Sequence, residues 1–416
     1  MKTIELTILT TAIIHITAPG AFAGSQAVLT ESAVIEKAVL NNPGLIAAEK
    51  MARAVESKGH KQFFLENPMA GVDYMNGQVS LLSPGTGPMK YFVIEQKIPF
   101  PLKYVWKAGG AAAETDAYKY MYEMKKFETI DDARSAYYEL YKTIKYIDIT
   151  GGASAVLKQI SGIAFARYNQ GMVPQHDVVK ADLETDLLEN ELLTLNRQKE
   201  TDIQRLRRVT ADDSLLTGAA YSLEDPQVPE LKAEFDGIRD MALKGAPSVR
   251  AAAADKALAE NMRNMAIADY LPDLSVQYKR NMDPSSSGYE LMVEAEVPLW
   301  FLNNQQANIG EDWEMAASKD SGLEDEKNRV VYEAKDHFEA IKADYRLIDL
   351  YKNKLIPQAE AGLKSAMASY QSKKIEFMTL LDSERMLLDM KKDYYMRLME
   401  YLTHYRMLEE LSGKLD

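Results

Sequence analysis

The 416-residue chain has no cysteine. Disulfides, thiolate metal centres and a lipid-modified N-terminal cysteine are thereby excluded. Histidine is scarce: beyond the N-terminal segment only His60, His176, His337 and His404 remain, and none stands four residues from another. Each reads as a solvated helical side chain, and no metal site is expected. Gly-x-Ser-x-Gly, a phosphate-cradling glycine loop and His-Glu-x-x-His are all missing, so nothing points to an enzyme or to a bound cofactor. Positive charge is in deficit, 49 Lys and Arg against 62 Asp and Glu, for a net charge of −13. With no basic block to offset that balance, nucleic acid is excluded as a partner. No segment after the first few dozen residues offers ~18 consecutive apolar residues, so no transmembrane helix is expected. A mature chain that meets a membrane must do so through a β-barrel.

The N-terminus has a short basic start at Met1-Lys2, an apolar stretch through Ile13-Ile14-His15-Ile16, and Ala21-Phe22-Ala23 of small-x-small form. This reads as a secretory signal of residues 1–23. The competing reading, a single membrane anchor, suits the short and interrupted stretch less well.

What the chain does have is a repeat. Tyr168-Asn169-Gln170-Gly171-Met172-Val173 and Tyr370-Gln371-Ser372-Lys373-Lys374-Ile375 align without a gap at an offset of 202. The match continues through Val178-Val179 on Leu380-Leu381 and Asp182 on Glu384. Three further landmarks recur in the same order. Asn42-Pro43-Gly44-Leu45 is echoed by Ala246-Pro247-Ser248-Val249, Asn67-Pro68 by Leu271-Pro272, and Lys97-Ile98-Pro99-Phe100 by Glu296-Val297-Pro298-Leu299. The chain is an internal duplication of roughly 200 residues per copy.

Each copy (24–209 and 234–411, joined by a segment 210–233 and followed by a tail 412–416) has one plan. A helix, about 32–66 or 234–270, stops at Asn67-Pro68 or Leu271-Pro272. Two strand runs follow, within 70–99 and 273–298. Then comes a helical pattern from about 102 to 167, or 304 to 369, with the second bent at Pro357. Ile130, Ala133, Tyr137, Leu140, Ile144 and Ile147 form a 3-4 seam in the first, and Val331, Ala334, Phe338, Ile341, Tyr345 and Ile348 in the second. At ~1.5 Å per residue the first would reach roughly 100 Å, and its weak point is Gly151-Gly152. The bends lie near 168–177 and 370–379, with Gln175 to Asp177 able to start and cap the next helix. In the closing helix Leu380, Leu387, Tyr394, Tyr401 and Leu408 fall every seven residues, with Leu381, Leu388, Tyr395 and Leu402 beside them, so it packs on two sides. Met386, Met390, Met396 and Met399 read as packing at helical spacing. In the last strand Tyr289, Leu291, Val293, Ala295 and Val297 alternate with Glu290, Met292, Glu294 and Glu296. That pattern suits a barrel with lipid outside and water inside, and equally a half-buried strand on a soluble core.

Helix, strand pair, long helix, Tyr-x-x-Gly bend and returning helix, all duplicated, resemble the TolC-type outer-membrane efflux family over nearly the whole mature chain. Asn67-Pro68 and Gln96-Lys97-Ile98-Pro99 are most similar to its heavy-metal branch, linked to pumps of the RND type. The resemblance implies a mainly α protein with a small β part. It would be a homotrimer, each chain giving four strands to a twelve-stranded outer-membrane barrel and its helices to a periplasmic tunnel. A periplasmic adaptor and an inner-membrane pump would be the partners. Gly171, Met172 and Val173, with Lys373 and Lys374 in the second copy, would form the adaptor-contact tips. Asp177, Tyr370 and Asp382 would close the periplasmic mouth, and Glu290, Glu294 and Glu296 would line the barrel lumen. The family's second acid at the mouth is Thr379 here, and Ile375 stands where it has a basic partner.

The expected function is therefore passive export, of metal ions, small toxic compounds or, within the same family, secreted protein. The alternative is a soluble periplasmic coiled-coil scaffold or adaptor, which needs no strand pairs.

Overall fold

A computed structural model of the chain describes residues 27–62, 64–75, 89–216, 221–282, 288–296 and 304–412. The signal segment, the strand-connecting stretch 76–88, most of the turn at 283–287, Val297-Pro298 and nearly all of the tail lie outside the described residues.

Prolines set the element boundaries. The helices expected over 32–66 and 234–270 are each two. The first divides into α1 (Glu31–Asn41) and α2 (Pro43–Lys61), flanking β1 (Ala27–Leu29) on its N-terminal side. A proline ring forces the preceding residue out of the helical region, and Asn42 is extended at φ −62°, ψ 117°. Pro43 then occupies the first helical position, where its missing N–H costs nothing. The Asn42 side chain caps the new helix by accepting from the Gly44 and Leu45 amides. The second copy repeats this break at Ala246 (φ −58°, ψ 121°), between α5 (Phe235–Gly245) and α6 (Pro247–Ala268).

β2 (Met69–Met75) and β3 (Met89–Ile98) lead into α3 (Pro101–Asn169), an unbroken helix of 69 residues. α4 (Gln175–Thr210) returns alongside it. The joining segment is more than a linker. It contains β4 (Tyr221–Leu223), paired in parallel with β1, and the Tyr137 hydroxyl donates to the carbonyl of Glu224 at 2.8 Å. β5 (Asp273–Asn281) and β6 (Tyr289–Glu296) precede α7 (Asn304–Leu350). Before Pro357 the chain makes a π-helical turn, Tyr351–Leu355, then continues as α8 (Ile356–Gln371) and returns as α9 (Phe377–Leu411). The wider turn accommodates Pro357, which offers no amide to the preceding turn and whose ring crowds the carbonyl four residues back.

Two apolar cores hold the helices. The larger joins α1, α3, α5, α7 and α9 through Tyr137, Leu140, Phe338, Ile341, Tyr401 and Leu402. Its α7 seam differs from the expected one. Val330 and Asp344 are buried, while Tyr345 is 47% exposed; the burial follows the 3.6-residue period of a straight helix instead of a 3-4 coiled-coil count. The smaller core lies towards the bends, with Ile160, Ala181, Leu363, Tyr370, Leu380 and Leu381. No described helix is long and apolar enough to cross a membrane.

Candidate functional site: hairpin tips and a two-faced sheet

β2, β3, β5 and β6 form one antiparallel sheet in that order, so the two copies meet edge to edge through β3 and β5. Because side chains alternate across a strand, the register sorts them onto two faces. One carries Ala70, Val72, Phe92, Ile94, Ile98, Leu274, Val276, Tyr278, Tyr289, Leu291, Val293 and Ala295, interrupted by Gln96 near the foot and by Lys90 and Arg280 at the other end. The other carries Glu290, Glu294 and Glu296 together with Asp273, Ser275, Gln277, Lys279, Glu95, Lys97 and Asp73. That is six carboxylates against two lysines, so the polar face is acidic. Lys279 reaches Asp73 across β3 at 3.5 Å. Every residue of β6 is exposed, and among the described residues β2 and β6 each have one edge without a partner. At the foot of the sheet Lys103, 9% exposed, bridges Asp273 at 2.9 Å and Asp269 at 3.3 Å and ties α3 to the second copy.

At the opposite end the two bends are built alike. In the first, Met172 N donates to the Arg167 carbonyl (2.9 Å) and Gly171 N to that of Tyr168 (2.8 Å). In the second, Lys374 N donates to Ser369 (2.8 Å) and Lys373 N to Tyr370 (3.1 Å). This nested pair of bonds needs a left-handed residue after the helix end, supplied by Gly171 and by Lys373. Met172, Lys373 and Lys374 are exposed and Val173 half-buried.

The expected mouth residues are placed unequally. Tyr370, 1% exposed, brings its hydroxyl within 3.4 Å of Asp177, a long contact at the weak end of hydrogen bonding. Burial, then the Asp177 charge, push the phenol's pKa above its usual value. Asp177 lies in the first turn of α4 but does not cap it; Pro174 occupies that position. Asp382 is exposed. Ile375, where a basic partner was expected, is half-buried against the lower core. The cation comes instead from the other copy: Arg167 donates to the Tyr370 carbonyl at 2.7 Å and stacks over its ring at 4.4 Å. Sequence reading missed it because its counterpart at offset 202 is Ser369.

Two further arrangements were invisible in the sequence. Glu384 is 4% exposed and makes no hydrogen bond or ion pair among the described residues. Burial, reinforced by Glu184, pushes its carboxyl up to about 7; Glu184 itself takes Lys180 (3.2 Å) and Arg385. His337 on α7 and His404 on α9 place their Nδ1 atoms 3.1 Å apart.

No family model matches the sequence, and no curated protein matches it. Solved structures do match the fold. The OprN outer-membrane channel superposes with a TM-score of 0.80 at 15% identity, covering 92% of this chain and 89% of its own. CusC, described through its folding and transmembrane channel formation, gives 0.80 at 12% identity with 96% of both chains covered. This is the TolC-type outer-membrane channel fold. The Campylobacter jejuni CmeC outer membrane channel gives 0.78 at 14% identity, covering 92% and 85%. In the TolC-type fold the four-stranded sheet belongs to the barrel and the paired hairpins to the tunnel, and the described sheet is one open segment with both outer edges free.

Proposed function

We propose that the chain is one third of an outer-membrane export conduit, a passive homotrimer through which an inner-membrane pump and a periplasmic adaptor discharge substrate. One observation carries this reading: a four-stranded sheet, largely apolar on one face and acidic on the other, with both edges open among the described residues. Open edges and an exposed apolar face are unstable in water. Three copies of such a sheet close a twelve-stranded barrel, bury every edge, turn the apolar faces to lipid and the carboxylates of Glu290, Glu294 and Glu296 to the lumen. The ~100 Å of α3 supplies the periplasmic reach. A soluble scaffold has no use for this sheet.

On this reading Gly171, Met172, Val173, Lys373 and Lys374 present the tips to the adaptor. Asp177 and Tyr370, with Asp382 below them, close the mouth. The pump is of the RND type and the cargo is metal ions or small toxic compounds. Membrane fractionation tests the proposal. A heat-resistant trimer released from the outer membrane only by detergent is expected; a monomer in the soluble periplasmic fraction overturns it.

A further inference from the structure

His337 and His404 are 67 residues apart in sequence, on different helices, yet their rings lie 5.2 Å apart and their Nδ1 atoms 3.1 Å apart. At the ~2.0–2.1 Å of a metal–imidazole bond, nitrogens at that spacing subtend roughly 100° at a shared ion, close to the tetrahedral angle. The surroundings ask for positive charge. Asp344, two turns further along α7, is 7% exposed and has no hydrogen bond or ion pair among the described residues. Glu400 adds negative charge beside it, and Arg397 offsets part of it. Glu333 and Asp336 face His337 from its own helix, although Glu333 is held by Arg329 at 2.6 Å. The Nδ1–Nδ1 contact is a hydrogen bond in which one ring donates, so an ion shared by both Nδ1 atoms would take the place of that proton, each ring keeping its N–H on Nε2.

We propose that His337 and His404 form a two-imidazole site for a divalent transition-metal cation, with water completing the coordination, that staples α7 to α9. Borderline-soft cations fit it, in the order Cu²⁺ above Ni²⁺ and Zn²⁺, and Mg²⁺ or Ca²⁺ do not, since those ions prefer oxygen ligands. Only two protein ligands are present, so the site is weak and exchangeable.

The test uses the detergent-solubilised full chain, titrated at pH 7.5 with CuCl₂, NiCl₂, ZnCl₂ or MgCl₂ and followed by equilibrium dialysis. One Cu²⁺ or Zn²⁺ per chain is expected, lost at least tenfold in affinity in His337→Gln and in His404→Gln and abolished at pH 5, with no Mg²⁺ uptake. Electron paramagnetic resonance of the Cu²⁺-loaded wild type, which needs no variant to fold, should show coupling to two nitrogens. Uptake unchanged in the double variant, a nitrogen count other than two, or no uptake by the wild type overturns the proposal; the last result leaves the pair as a shared proton.

Discussion

Gly171 and Lys373 hold the same left-handed backbone, φ +67° and +63°, at equivalent positions of the two bends. Glycine adopts it freely, whereas a side chain costs about 1 kcal/mol. Lys373→Gly should therefore stabilise the protein by about 1 kcal/mol in denaturant unfolding. Gly171→Ala should destabilise it by a similar amount, all of it local backbone strain, because a Cβ there meets no other residue within 4 Å. Gly171→Trp should leave the trimer assembled and abolish export; export that survives it removes the tip from the adaptor interface.

Arg167 spans the two bends through the Tyr370 carbonyl and ring. A hydrogen bond to a charged group contributes about 1.5–3 kcal/mol and the stacking about 0.5–2 kcal/mol, more than the long Tyr370–Asp177 contact can. Arg167→Gln should raise single-channel conductance in planar bilayers more than Tyr370→Phe combined with Asp177→Ala. Conductance equal to wild type in all three would mean that other residues close the mouth.

Asp382→Ala should weaken block of the pore by multivalent cations added from the periplasmic side. Asp382 is exposed and unburdened by the tie above it, so its loss should leave conductance in their absence nearly unchanged. Block that persists places Asp382 away from the axis.

Glu384 links stability to pH. Burial holds the proton on its carboxyl up to about 7 in the folded chain, against about 4.5 for an ordinary solvated glutamate. The folded state thus holds the extra proton between these values, and stability falls as pH rises through that window. Glu384→Gln should remove the dependence, raising stability at pH 8 by roughly 1–3 kcal/mol and changing little at pH 4. Parallel melting curves at the two pH values for wild type and variant decide it.

Much of the fold was legible because it is written in repetition. The aligned bends, the proline landmarks and the heptad spacing of α9 each depend on local chemistry, and a duplicated signal reinforces itself. The acid-and-apolar alternation of β6 likewise survives in the register of the sheet. What escaped reading was whatever depends on the angle between helices. Which of Val330 and Val331 faces inward, that Glu384 lands beside Glu184, and that His337 meets His404 are set by packing 67 to 200 residues away in sequence. Pro43 and Pro247 were misread for a simpler reason: an Asn or Ala in extended conformation before proline can start a helix as readily as interrupt one.

The π-helical turn has one more consequence. Set on the first copy at the offset of 202, Tyr351–Leu355 falls on residues 149–153, which include Gly151 and Gly152. Both long helices are thus softened at one height, about 27 Å from the bends. One is loosened by the entropy of two glycines, the other by an irregular ladder ahead of Pro357. A groove of about 400 Å³, lined by Gly152, Leu363 and Glu384 among others, opens beside that level. The lower ends of the two hairpins are thereby joined to the upper bundle through the two least regular stretches of their long helices, placed side by side.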